Sequence, residues 1–190
     1  MRLFAAVLPP PAAIDELATE VRGLHRLPGA ERMRWTGHDG WHFTLAFYGE
    51  VGEELLPELH ARLARAAHRH APFPLRVSGS GRFDHKVLWA GAAGGREAMR
   101  HLADSAGAAA RRAGIDTGEH RRYTPHLTLA RHRGGEARVD LGPYVDALAP
   151  YESAEWQVAE LALVRSNLPT SGVPGEQPRY ETVATWPLGH

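Results

Sequence analysis

The phrase His-x-Thr-Leu-Ala occurs twice in this chain, in HFTLAF from His42 and in HLTLAR from His126. The copies lie 84 positions apart, one in each half of 190 residues. Each alternates polar and apolar side chains, the pattern of a half-buried strand. On a strand, His42 and Thr44 project from one face while Phe43 and Leu45 project from the other. His126 and Thr128 do the same, with Leu127 and Leu129 behind them. The apolar partners anchor each strand in a core, and the polar partners need a wet or hydrogen-bonded place. The fold must therefore offer two strands with matching polar faces.

The rest of the chain reads as strands and helices in alternation. RLFAAVL near the start is a buried strand ended by Pro9, Pro10 and Pro11. Ile14, Leu17, Val21 and Leu24 follow at helical spacing, and Met33-Arg34-Trp35 is a short strand. A second helix is expected over about 53–70, with Leu55, Leu59, Leu63 and Ala66 inward. FPLRVSGSGRF and KVLWAGA read as two strands with a Gly-rich turn between. A third helix runs from about Arg96 to Ala113, with Met99, Leu102, Ala106, Ala109 and Ala113 on one face and Gly114 as its stop. TPHLTLAR is the next strand, LGPYVDALA a short helix, and EWQVAELALVRS and RYETVATWPL are strands around the connection NLPTSGVPGEQP. No composition shift marks a linker, so residues 1–190 form a single domain with faint internal pseudo-symmetry.

Composition removes several functions. With no cysteine there is neither a disulfide framework nor a thiolate metal site. The formal net charge is zero, so no global nucleic-acid footprint exists. Lys86 is the single lysine among 22 basic residues. Arginine suits phosphate and base contacts, although genomic composition alone accounts for such a bias. No run approaches the roughly 18–20 apolar residues of a membrane span, and the start is broken by prolines, so the cytoplasm is expected.

A His and a hydroxyl, presented twice, suit acid–base phosphoryl chemistry. One imidazole takes a proton from water while the other, protonated, gives one to the leaving oxygen. Two threonine hydroxyls can donate to the non-bridging phosphate oxygens. This design calls for no metal and no cofactor.

The runs RLFAAVLPP, WHFTLAFYGEV, G-RF…VLWAG, YTPHLTLAR and LVRSNL…G…Y…WPL stand in the order found in one family. On these the chain resembles the 2H phosphoesterases, named for two H-x-[ST]-hydrophobic motifs. Within them it is similar to the RNA 2′,3′-cyclic phosphodiesterases, also called 2′-5′ RNA ligases, over nearly its whole length. The resemblance implies an α+β fold of two pseudo-symmetric lobes, each an antiparallel sheet backed by helices, with the active site in the cleft between them. It implies that His42 is the proton donor to the leaving O3′ and His126 the proton acceptor from water. Thr44 and Thr128 would hold the phosphate, and the product would be a 2′-phosphate, with ATP-independent 2′-5′ RNA ligation as the reverse of the same chemistry. It also implies that Phe47 and Arg131, five residues past each His, hold the terminal nucleobase. Strand parity objects: strict alternation points both away from the cleft, and only a bulge or strand end after Leu45 and Leu129 turns them back.

The expected partners are RNA ends or oligonucleotides carrying 2′,3′-cyclic phosphate, met by a monomer. The rival readings are a 2H enzyme for another cyclic phosphate or a 2′-5′-linked oligonucleotide, and a non-catalytic binder of RNA ends. Other features carry less. His68 and His70 are two apart on a helix and make a poor metal pair. His120, Arg121 and Arg122 form a basic cluster that reads equally as a solvated loop. GSG at 79–81 lacks the G-x-x-x-x-G-K-[ST] pattern of an ATP-binding loop. The NLPTSGVPGEQP segment, with Ser166 just before it, is taken as a plain hairpin connection.

Overall fold

The structure is a computed structural model that describes residues 1–118, 122–135, 137–173 and 176–189. Among these, nine strands and four α-helices follow one another as β1 (Arg2–Val7), α1 (Pro11–Leu24), β2 (Met33–Trp35), β3 (Phe43–Glu50), α2 (Leu56–His68), β4 (Phe73–Phe83), β5 (Val87–Gly94), α3 (Arg96–Arg112), β6 (Leu127–His132), α4 (Gly142–Leu148), β7 (Trp156–Val158), β8 (Glu160–Asn167) and β9 (Arg179–Pro187). Proline at the start of α1 has no N–H to leave unpaired. Gly114, at φ +91, takes the left-handed position just after α3.

The fold is α+β with two antiparallel halves, β9-β8-β1-β3 and β6-β5-β4-β7, with β2 added beside β6. They meet at one residue pair, Phe43 opposite Leu127, so the lobes share a continuous but barely stitched sheet. Each of those residues directly follows a motif histidine. The pair therefore marks the pseudo-two-fold.

Helices back one face. α3 packs on β3 and on α2, which reaches β8 and β9, while α4 packs on β4, β5 and α1. The halves of the sequence are thus not the lobes: α3 follows β5 in the chain yet covers the strand of the first motif. Tyr48 fixes that contact, donating its buried hydroxyl to the Ala106 carbonyl at 2.9 Å. Leu59 and Leu63 are fully buried, and removing each from water contributes about 2 kcal/mol.

One turn differs from expectation. GSG at 79–81 lies inside β4 at a register irregularity, and the chain reverses between Phe83 and Val87 instead. Asp84 occupies positive φ there, which a short acidic side chain tolerates. Gly81 has a different task. A Cβ at this position would run into the indole of Trp89 on the paired strand.

Candidate active site

Both motif histidines stand one residue before their strands and are held in the same way. His42 Nδ1 donates to the Gly40 carbonyl at 2.7 Å, and His126 Nδ1 donates to the Thr124 carbonyl at 2.8 Å. A carbonyl only accepts, so Nδ1 carries the hydrogen in each ring. Nε2, on the opposite side of the ring, is the nitrogen left for proton transfer.

Two aromatic rings stand beside each imidazole. Phe4 lies 4.6 Å from His42 and Tyr180 meets it edge-on at 5.3 Å. Phe83 meets His126 edge-on at 4.8 Å, with Trp89 at 6.2 Å. The Trp89 indole can lie there because Gly81 has no side chain. Gly81→Ala is accordingly expected to displace Trp89 and lower turnover about tenfold to a hundredfold, a misplacement effect. Turnover at the wild-type rate would free Trp89 of any positioning role.

The parity objection is removed by two matched bulges. Opposite β1, Thr44 pairs with Ala6 and Ala46 with Ala5, leaving Leu45 as the extra residue. Phe47 then falls opposite Phe4, on the face that carries His42. Opposite β5, Thr128 pairs with Trp89 and Ala130 with Leu88, leaving Leu129 extra, and Arg131 falls opposite Val87. Leu45, Leu129 and Ala130 are buried while Phe47 and Arg131 emerge. The Leu129 carbonyl is satisfied by the Thr36 N–H at 2.8 Å. Phe47 is 48% exposed, with the Arg2 guanidinium 4.9 Å from its ring centre.

Burial, the largest cause, draws the His42 pKa down from 6.5 to about 4; the bond to Gly40 opposes it, and His126 and Arg131 add to it. His126 is also lowered, first by burial and then by Arg131, against the bond to Thr124. Burial raises the Tyr180 phenol, while Arg131 and Arg2 lower it. The charge of Arg131 thus acts on both imidazoles and on Tyr180.

Several neighbours of the site were not singled out from sequence. Phe4, Tyr180, Phe83 and Trp89 line the rings, and Tyr123 donates its hydroxyl to the Thr44 carbonyl at 3.1 Å. Strand parity would have found Phe4 and Trp89 once their partners were known. Tyr180 required the β8–β9 register, which sets it opposite Ser166. The connection before β9 is more than a plain hairpin. Gln177 donates to the Trp35 carbonyl and accepts from the Gly37 N–H, tying it to β2. His120 and Arg121 lie outside the described residues, and Arg122 is exposed. His70 bonds Ser105 at 2.8 Å. Among the described residues no His, Asp and Glu side chains gather as a metal site requires, and no helix is long and apolar enough to cross a membrane.

The sequence profile of the 2′-5′ RNA ligase superfamily matches residues 9–169. A Thermus thermophilus protein named RNA 2′,3′-cyclic phosphodiesterase is 34% identical, over 90% of this chain and 85% of its own. A Geobacillus stearothermophilus protein of the same name is 30% identical over 81% of this chain, which spans 47% of that longer relative. Among solved structures, one from Thermus thermophilus superposes with a TM-score of 0.75 at 30% identity, covering 99% of this chain and 98% of its own. Escherichia coli LigT complexed with 3′-AMP gives 0.75 at 27% identity, with 100% and 98% coverage. The chain belongs to the 2′-5′ RNA ligase superfamily, the 2H phosphoesterases, and is an enzyme.

Proposed function

We propose that this enzyme opens terminal 2′,3′-cyclic phosphates of RNA to 2′-phosphates. The observation that carries the reading is the pair of imidazoles, each with Nδ1–H bonded to a backbone carbonyl and Nε2 left for chemistry. His126 takes a proton from the attacking water, the P–O3′ bond breaks, and His42 gives a proton to O3′. Thr44 and Thr128, on the same strand face as their histidines, donate to the non-bridging oxygens. Phe47 and Arg131 offer a ring and a guanidinium plane to the terminal base. One chain supplies every group, so a monomer suffices.

The electrostatics of the site set a condition on these roles. His42 has its pKa held at about 4, and His126 is lowered as well. For His42 to act as the donor, the anionic phosphate must hold the proton on it, raising its pKa on binding. Titration of His42 by NMR, with and without inorganic phosphate, should show an upward shift; no shift would argue for the opposite assignment of acid and base.

Because the two imidazoles and two hydroxyls suffice for the chemistry, treatment with EDTA is expected to leave turnover unchanged. Loss of activity that added divalent metal restores would refute the design. The decisive experiment is product analysis on an oligoribonucleotide ending in 2′,3′-cyclic phosphate. A 2′-phosphate supports the assignment of O3′ as leaving group, and a 3′-phosphate overturns it.

A further inference from the structure

The large aromatic side chains that stand exposed among the described residues are Phe47, Phe83 and Tyr180. Tyr180 stands against His42, Phe83 against His126, and Phe47 on the face that carries His42, and hydrolysis leaves Phe83 without a task. It is 39% exposed, and exposing an apolar ring costs free energy unless something covers it. Its place in the sheet is well defined. Phe83 pairs with Val87, which pairs with Arg131, so the three form one row on the cleft face. Its ring stands 4.8 Å from His126 at 87° and 5.5 Å from Trp89.

In-line displacement at phosphorus puts the attacking and leaving oxygens on opposite sides. On the reading above, the donor's O3′ departs on the His42 side, its nucleoside staying attached through O2′, and water attacks from the His126 side. Whatever replaces water would therefore carry its remaining atoms past His126, where Phe83 stands. A stacked nucleobase fits such a ring, since every base presents a π-face. The same hairpin carries exposed Arg82 and Lys86 against one exposed carboxylate, Asp84, cations suited to the phosphates of an incoming strand.

We propose that Phe83, backed by Trp89, is the stacking platform for the nucleobase of an RNA acceptor bearing a 5′-hydroxyl. The inference rests on the acid–base reading, takes as its reaction the 2′-5′ joining for which the superfamily is named, and adds a second nucleotide subsite to it. The acceptor O5′ forms the new bond to phosphorus, and its proton passes to His126. The P–O3′ bond breaks and His42 protonates O3′. The product is a 2′-5′ phosphodiester beside a free 3′-hydroxyl, and the balance needs no nucleoside triphosphate.

The test follows joining and hydrolysis together, using an oligoribonucleotide ending in 2′,3′-cyclic phosphate and a 5′-hydroxyl acceptor. Phe83→Ala should lower the ratio of joined to hydrolysed product about fivefold to a hundredfold, the range for losing one base–aromatic stack. Phe83→Tyr should preserve the ratio. With wild-type protein, an acceptor whose first residue is abasic should join at the reduced ratio, a readout independent of any variant's folding. An unchanged ratio in Phe83→Ala, or an abasic acceptor that joins as well as a base-bearing one, overturns the subsite. Wild-type protein that hydrolyses but forms no 2′-5′ bond overturns this inference alone. Wild-type protein that joins without hydrolysing keeps the subsite and overturns the hydrolytic reading.

Discussion

Replacing His42 or His126 with alanine is expected to lower turnover of a terminal 2′,3′-cyclic phosphate by several orders of magnitude. Each proton transfer contributes about 10²–10⁴, and neither imidazole has a substitute beside it. The double variant should be little worse than either single one, because groups that act as one unit lose their effect together. The fold should survive. Each imidazole bonds a carbonyl two residues back, and both residues are only partly buried. The measurement is product formation under saturating substrate, with a thermal melt as control. If both single variants keep near wild-type turnover with intact melts, the two-histidine mechanism is wrong.

The second large effect concerns pH. Activity needs one imidazole charged and the other neutral, so kcat/KM should be bell-shaped with limbs set by the free protein. Burial holds His42 at about 4 and also lowers His126 from 6.5, so both limbs belong below pH 6.5. On the acid side both rings become charged, and no base remains. On the alkaline side both are neutral, and no proton is available for the leaving oxygen. The maximum is therefore expected below pH 6.5, with a fall of about tenfold per unit beyond either limb. The kcat profile should lie at higher pH, because a bound phosphate anion favours the charged imidazoles. A kcat/KM maximum above pH 7 would show that the rings are not desolvated as the free structure has them.

Much of the local structure was readable from residue order. Prolines 9–11 ended β1, Gly114 ended α3, and the stripe Met99, Leu102, Ala106 and Ala109 foretold the buried face of that helix. These signals are local: a ring that fixes φ, a glycine free to take positive φ, a 3.6-residue period. GSG at 79–81 misled because glycine also serves where another side chain needs room, and here the room is used by Trp89. Phe47 and Arg131 show the same limit at the site. Alternation alone sent them to the wrong face, and nothing in the residues near Leu45 or Leu129 announces an extra residue in the ladder.

The sequence by itself determined the pair of H-x-T strands, the faces their polar residues share, and hence the kind of chemistry two imidazoles and two hydroxyls can perform. Those properties depend on covalent order and on the two-residue repeat of a strand. Only the tertiary structure decided the matched bulges, the aromatic neighbours of each imidazole, the helices shared across sequence halves, and the depressed pKa values. Each of these depends on which distant strand lies alongside and how much water it excludes. Register and desolvation come into being only when the chain has closed on itself.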